Sequence, residues 1–367
     1  MGDCGAFAYA DQERPAYSPE EVVEFYSDAG FTHGCHPDHI IFDFHADNPS
    51  LAEAEARRRG ASPKQASLAL HDIEEEGDEG VPRAATRGAS IRKRFDITLK
   101  NAEEFLRLSQ SEGTPFEPIG VVQGWSPDSM ARAARDLVKM GYRYLAVGGL
   151  VPLKTPDIAQ VLATIRESIP RETKLHLLGF AKADHIGEFK KHDITSFDST
   201  SPLIRAFKDA RRNYYLPGSN GKLEYFAAIR IPQAIENARL VQAIKRGQLD
   251  ANELQRHEGR ALQALRGFDH GEVSLADALE EIATYQHHLT LATEDDPAMQ
   301  ARAEKKNRQS IERTLQAAPW ERCGCSICKA IGVDVIIFRS ANRNRRRGFH
   351  NLGVYRQHVH ETLERTA

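Results

Sequence analysis

Three of the five cysteines crowd into Cys323-Gly-Cys325-Ser-Ile-Cys328. Thiolates at that spacing lie in one tight loop and can close on a single soft metal ion. His350, further along, supplies the imidazole that completes a Cys3His set, although His358 and His360 compete for the place by spacing alone. Four protein ligands leave no open position for water, so the zinc such a set would hold is structural rather than catalytic. An odd cysteine total with this clustering favours metal over disulfide and a reducing, cytoplasmic compartment.

A second group of chemically capable residues is spread through the first half: Asp3, Asp38, Gln123, the pair Gly148-Gly149, and Asp198. Two carboxylates facing one substrate can cleave and remake an N-glycosidic bond through an oxocarbenium-like transition state. One attacks the anomeric carbon while the other manages the proton of the departing base. Any one of these aspartates alone would more often be a helix cap or a loop hydrogen-bonder. Only their placement together makes them a site, so the elements that carry them decide the matter.

Those elements repeat one unit of capped helix, glycine stop, aromatic residue and apolar strand. Ser18-Pro19-Glu20-Glu21 is a capping box with proline at the first helical position, and its helix carries Val22, Val23, Phe25 and Tyr26. It stops near Gly30 and feeds a strand expected from about Phe31 to Phe42. Ser126-Pro127 opens a helix with Met130, Ala134, Leu137 and Val138 on one face, followed by Tyr144-Leu-Ala-Val147. Thr155-Pro156 opens the next, followed by Lys174-Leu-His-Leu-Leu-Gly-Phe180 and, after a shorter helix, Ile194-Thr-Ser-Phe-Asp198. Short strands alternating with longer helices imply parallel βαβ units. No Gly-x-Gly-x-x-Gly follows the first strand, which disfavours a dinucleotide fold. The fold expected is α/β, a (β/α)8 TIM-type barrel whose strand ends converge on one mouth.

Two stretches interrupt the repeat. Residues 51–90 are charged and rich in Ala, Gly and Arg, and read as a solvated insertion within a barrel spanning 1–231. Residues 232–318 are polar with a helical period and read as a helical subdomain, leaving 319–367 for a zinc-binding subdomain and C-terminal helix. With 49 Lys+Arg against 52 Asp+Glu the net charge is −3, so any nucleic-acid footprint must be local. Arg343-Asn-Arg345-Arg346-Arg347 is the candidate, read as an exposed loop between the metal ligands that could meet phosphates. No apolar run approaches membrane-spanning length, no signal peptide opens the chain, and no membrane partner is expected.

With these residues in place the chain resembles the tRNA-guanine transglycosylases. Gly120-Val-Val-Gln123-Gly124 is similar to that family's Gly-Ile-Val-Gln-Gly, and Ala146-Val-Gly148-Gly149-Leu150 to its Ala-Val-Gly-Gly-Leu. Phe197-Asp198-Ser-Thr-Ser-Pro202 resembles the stretch with the nucleophilic aspartate, and Asp3-Cys4-Gly5-Ala6-Phe7 the Asp-Ser-Gly-Gly-Phe loop. Cys323, Cys325, Cys328 and His350 look like the family's zinc site. The five matches run in family order. The substitutions in the Asp3 loop, Trp125 after Gln123-Gly124, and the helical insertion resemble the DpdA branch, which places the 7-deazaguanine preQ0 into DNA within a DNA-modification system.

The resemblance implies Asp198 as nucleophile and Asp3 as general acid/base. It implies Asp38 for the amino and ring N–H groups of the base, with Asp43 as the alternative, and Gln123, Gly149 and Leu150 around its carbonyl. The target base must be flipped out or single-stranded, and Trp125 could either stack on a base or pack the rim. The alternatives are exchange in tRNA and an inactive zinc-dependent nucleic-acid-binding module. Partner proteins of the modification system and a homodimer are further candidates. Because the family has at least a strand ahead of the Asp3 loop, a barrel lacking its N-terminal strand or strands is also expected.

Overall fold

The computed structural model describes residues 1–60, 90–180, 182, 185–219 and 221–365. The chain divides into two compact units, Met1–Ser201 and Pro202–Arg365, each described here by itself. Of the stretch read as an insertion, 61–89 lies outside the described residues.

The first unit is a partial (β/α) barrel. Its five strands, β1 (His33–Cys35), β2 (Glu117–Val122), β3 (Tyr144–Val147), β4 (Lys174–Leu177) and β5 (Ser196–Phe197), follow one another in sequence order across the sheet. Every pairing is parallel. Beyond β1, Gly2 bridges Gly34 in the parallel sense, its N–H bonding the His33 carbonyl at 2.8 Å and its carbonyl accepting Cys35 N–H at 2.9 Å. Strands in such a sheet are covered on both faces and therefore read as apolar runs. Accordingly, Ile119, Val121, Val122, Leu145, Ala146, Val147, Leu175 and Leu177 are all buried.

Helices cross between the strands for reasons visible in their ends. In α1 (Pro19–Asp28) the Ser18–Glu21 capping box forms in both directions. Val22, Val23 and Tyr26 face inward, but Phe25 is 60% exposed, so the apolar face is narrower than its sequence suggests. The helix α2 (Leu51–Gly60) precedes the undescribed stretch, and α3 (Ile91–Glu112) starts at the Ser90 cap and stops at Gly113, whose φ of 63° suits glycine. In α4 (Pro127–Met140), Ser126 and Ser129 cap each other, and Met130, Ala134 and Leu137 are buried. Truncating such a leucine to alanine costs about 2–5 kcal/mol. The helix α5 (Thr155–Ser168) buries Ile158, Val161, Leu162 and Ile165, and the short α6 (Ile186–Phe189) leads to β5.

The strand expected over 31–42 is cut to three residues. Pro37 has no N–H to give a ladder, and its carbonyl is taken by Asn101 Nδ2 at 3.1 Å. The chain after Cys35 instead forms an irregular buried loop carrying His36, Asp38 and His39.

The second unit begins with α7 (Ser201–Lys208) and the antiparallel pair β6 (Tyr214–Pro217) and β7 (Leu223–Phe226). A parallel pair, β8 (Ile229–Arg230) with β9 (Ile337–Phe338), closes around a helical stretch. That stretch holds α8 (Ala238–Lys245), α9 (Ala251–Asp269), α10 (Leu275–Leu291) and α11 (Pro297–Ala317), separated in part by left-handed Gly247 and Gly271. Leu254, Ala261, Leu265, Ile282, Tyr285 and Leu315 share one core with Trp320 and the metal-region cysteines. Two short helices, α12 (Pro319–Arg322) and α13 (Ser326–Ile331), precede the long α14 (Ala341–Arg365).

The arginine run is not a loop, because α14 already begins at Ala341. Helical geometry sends its members in different directions. Arg347 is fully buried and donates to the carbonyls of Val335, Ile337 and Ala206 and to Asn344 Oδ1. Arg343 pairs with Asp334 at 2.8 Å, while Arg345 and Arg346 face solvent. His350, read as preceding a helix, lies inside it. No helix among the described residues is long and apolar enough to cross a membrane.

Candidate active site and metal centre

The carboxyl edge of the first unit's sheet gathers the polar residues singled out from sequence. Asp3 follows the Gly2 bridge, and Tyr26 wedges that segment in place. A Cβ on Gly2 or on Gly34 would stand 2.4 Å from the Tyr26 ring, so only glycine fits at either position. Left-handed Gly5 then turns the chain into a single turn of 3-10 helix over Ala6–Tyr9. One oxygen of Asp3, Cys4 Sγ and one oxygen of Asp38 lie within 4.8 Å of one another.

Asp38 is buried, and both its oxygens are engaged. Oδ1 accepts the Cys4 thiol at 3.1 Å and Oδ2 accepts Gln123 Nε2–H at 2.7 Å. Tyr9 OH donates to the Asp38 carbonyl at 3.0 Å. Gln123 Oε1 meanwhile accepts Ile41 N–H at 3.2 Å, so this buried amide ties strand β2 to the Asp38 loop. Gly148 must lack a side chain because a Cβ would stand 2.4 Å from Gln123 Nε2. Gly149 adopts φ of 70° with the Ile41 carbonyl 3.2 Å from its Cβ direction, and Leu150 is buried beside it. Asp43 is outside this group, its charged neighbours being Arg58, His45, Arg94 and Glu55.

Burial, and then the charge of Asp3, push the Asp38 carboxyl up to about 6. Asp3 opens to solvent by area, yet protein crowds it on several sides. That crowding, and secondly the nearby Asp198, raise its pKa. Burial holds His36 down to about 4. Its Nε2 accepts Val121 N–H at 2.8 Å and its Nδ1–H donates to the Pro37 carbonyl at 3.1 Å, a pattern only the neutral ring can make. His39 is lowered to about 4 by burial and by Arg94. Arg94 is itself buried and ties the two loops together, donating to the carbonyls of Ala10 and Ile40.

Asp198 ends β5. Its N–H bonds the Leu177 carbonyl and its own carbonyl accepts Phe180 N–H at 2.8 Å. The side chain is half exposed, with Oδ1 accepting Gly179 N–H at 2.9 Å and lying 3.3 Å from His176 Nε2. Trp125 is buried instead of lying open to a base. It packs on Phe95 at 5.5 Å and donates its indole N–H to the Pro49 carbonyl, so its packing role is the one observed.

In the second unit the Sγ atoms of Cys323, Cys325 and Cys328 lie 3.5, 3.5 and 3.4 Å from His350 Nδ1. Around a tetrahedral ion with metal–S near 2.3 Å and metal–N near 2.0 Å, the S–N edge is about 3.5 Å. The four residues therefore fit a metal ion. His350 Nε2 sits 3.0 Å from the Tyr215 carbonyl, which leaves Nδ1 free of a proton for coordination. The Tyr214 ring stacks on the imidazole at 4.1 Å, and its hydroxyl lies 3.3 Å from Cys328 Sγ. Neither His358 nor His360 belongs to the cluster.

Residues 71–223 match the family described as queuine tRNA-ribosyltransferase. A DNA-guanine transglycosylase from Salmonella montevideo is 37% identical over 363 residues, covering 99% of this chain and 76% of that relative. The chain belongs to the guanine transglycosylase family. Two further relatives align over shorter stretches, each at 27% identity. They are a queuine tRNA-ribosyltransferase from Chromohalobacter salexigens, over 40% of this chain and 38% of its own, and a tRNA-guanine(15) transglycosylase from Methanocaldococcus jannaschii, over 24% and 14%.

Several residues of this transglycosylase's site carry no motif. His176, Tyr144, Ser196, Tyr9, His36 and Arg94 all touch or brace the aspartates. The one available signal was His176 itself, a polar side chain inside the apolar strand Leu175-His176-Leu177.

Proposed function

We propose that this chain exchanges guanine in DNA for preQ0 through a covalent aspartyl intermediate. The observation that carries the reading is the placement of two unlike carboxylates at one sheet edge, Asp198 half exposed and Asp3 with a raised pKa beside it. Such divergence suits a nucleophile and a proton carrier. In the first displacement an Asp198 oxygen attacks C1′ of the flipped-out nucleotide. The C1′–N9 bond breaks, its electron pair stays on the guanine, and Asp3 delivers a proton to the departing base. In the second, N9 of preQ0 attacks C1′, gives its proton to Asp3, and the bond to Asp198 breaks. Two inversions retain the anomeric configuration, and no nucleotide triphosphate is consumed.

Asp38 would accept the amino and ring N–H groups of the base, with Gln123 braced behind it and the Gly149 backbone and Leu150 alongside. A Cys3His-bound zinc would be structural, fixing α13 against α14, since all four positions are protein ligands. DNA is favoured as substrate by the similarity, over 99% of this chain, to a relative named for acting on DNA-guanine.

The test is incubation of purified protein with preQ0 and either duplex DNA, single-stranded DNA or tRNA, followed by mass spectrometry of released nucleosides. Deoxy-preQ0 formed by the wild type and lost in Asp198→Ala supports the proposal. Incorporation into tRNA alone overturns the DNA assignment, and product from Asp198→Ala removes that residue as nucleophile.

A further inference from the structure

The Asp198 carboxylate is gripped on one oxygen only. Oδ1 accepts Gly179 N–H and faces His176 Nε2, while no hydrogen bond reaches Oδ2 among the described residues. A carboxylate only accepts, so the imidazole proton must sit on Nε2, leaving Nδ1 as an acceptor. Nδ1 lies 2.6 Å from Ser196 Oγ, which lies 2.6 Å from Tyr144 OH. In the neutral ring Nδ1 takes the one Ser196 proton, so Tyr144 donates to Ser196, Ser196 to His176, and His176 to Asp198. In a protonated ring the Nε2–H bond to Asp198 is unchanged.

The relay is built into three adjacent strands. Tyr144 is on β3, His176 on β4, and Ser196 pairs with His176 across the β4–β5 ladder. The His176 ring is 4% exposed, and the His33 ring stands edge-on to the Tyr144 ring at 5.9 Å. Nothing in this chain of bonds touches the space in front of Oδ2.

We propose that His176, oriented by Ser196 and Tyr144, is a positioning residue that gives the two oxygens of Asp198 different tasks. Oδ2 bonds C1′, and Oδ1 carries the returning charge under two N–H donors. The inference rests on the reading of Asp198 as nucleophile. When Oδ2 bonds C1′, Oδ1 becomes the ester carbonyl and its negative charge is lost. When N9 of the incoming base takes C1′, the C1′–Oδ2 electron pair returns to the carboxylate, and charge rebuilds beneath His176 Nε2–H and Gly179 N–H. Fixed donors aimed at developing charge commonly contribute 10²–10³-fold in rate. Here they favour release of the covalent adduct over its formation.

Among the described residues, the titratable groups near Asp198 include His176, Asp3 and Cys35. Removing the His176 hydrogen bond should slow release of the adduct more than its formation. A packing role would slow both alike.

The experiment uses the full chain with single-stranded DNA and preQ0, comparing wild type, His176→Leu, His176→Gln and Ser196→Ala. Exchange rate, the fraction of protein trapped as DNA adduct on denaturing gels, and the separate rates of adduct formation and release are read together. His176→Leu is expected to slow exchange about 10²-fold and to accumulate adduct during turnover. His176→Gln, whose amide can place an N–H near the same spot, should recover part of the rate. Ser196→Ala should show the same pattern more weakly, and it carries the test should His176→Leu not fold. Formation and release slowed equally, or no recovery by Gln, would overturn the assignment. Absence of any Asp198-dependent adduct in the wild type would instead overturn the nucleophile reading beneath it.

Discussion

The Cys3His cluster and the aspartate edge are both polar constellations, yet they are built in opposite ways. Around the cluster every donor converges inward, the imidazole is stacked and hydrogen-bonded from behind, and two of the three thiols are buried. Around Asp198 the protein braces one oxygen and leaves the other open. A site whose valences are all satisfied by protein can only hold. A site with one unsatisfied valence, aimed outward from a rigid strand end, can react. On the proposed reading the contrast separates a stabilising centre from a chemical one more clearly than residue type does, since His and Cys occur in both.

The strongest way to break that contrast is Cys328→Ser. Structural zinc in small folds contributes on the order of 10 kcal/mol, so loss of one buried ligand should unfold the second unit near room temperature. Metal content by atomic spectroscopy and thermal melts check this. Asp198→Ala, on the other side of the comparison, should leave the melting temperature within a degree or two, and a large drop there would erase the distinction.

A smaller effect sharpens it. Arg347→Met removes a buried guanidinium that satisfies three carbonyls of the second unit, and should cost about 3 kcal/mol. Arg346→Ala, one position away on the exposed face, should change stability by about 0.5 kcal/mol or less. Denaturant titration distinguishes them, and equal losses would mean that the helical split of the run is wrong.

The smallest effect is a pH dependence within the open site. With Asp38 raised to about 6, its carboxyl gains a proton as pH falls through that value and loses an acceptor for base N–H groups. Affinity for guanine or preQ0 should therefore weaken below pH 6 and level off above it. Asp38→Asn should abolish the limb, as measured by calorimetric titration between pH 5 and 8.

What could be read from sequence followed how locally each feature is specified. Cys-x-Cys-x2-Cys announces its own chemistry, and the caps Ser18 and Ser126 and the stop at Gly30 mark helix ends within a few positions. Gly148 and Gly149 were legible as a motif, but their reason, the room needed for Gln123 and Ile41, requires the neighbouring strand. The reading of 31–42 as strand failed because its apolar residues serve a buried loop, and Pro37 outweighed them. The arginine run misled because a charge run gives no phase until the start of its helix is known. The Tyr144–Ser196–His176 relay was invisible because its members come from three strands and meet only across ladder pairing.

The Gly2 bridge would set a further condition on the proposed catalysis. Two backbone hydrogen bonds, the Tyr26 wedge, and the bonds of Cys4 and Tyr9 to Asp38 hold the segment that carries Asp3. Segments held by few backbone bonds open by local fluctuation below the global unfolding free energy. An opening here would remove Asp3 while the rest of the sheet stays intact. The working enzyme would then be a closed sub-population, its turnover scaled by the fraction of time the segment is docked, and amide exchange at Cys35 would report that fraction directly.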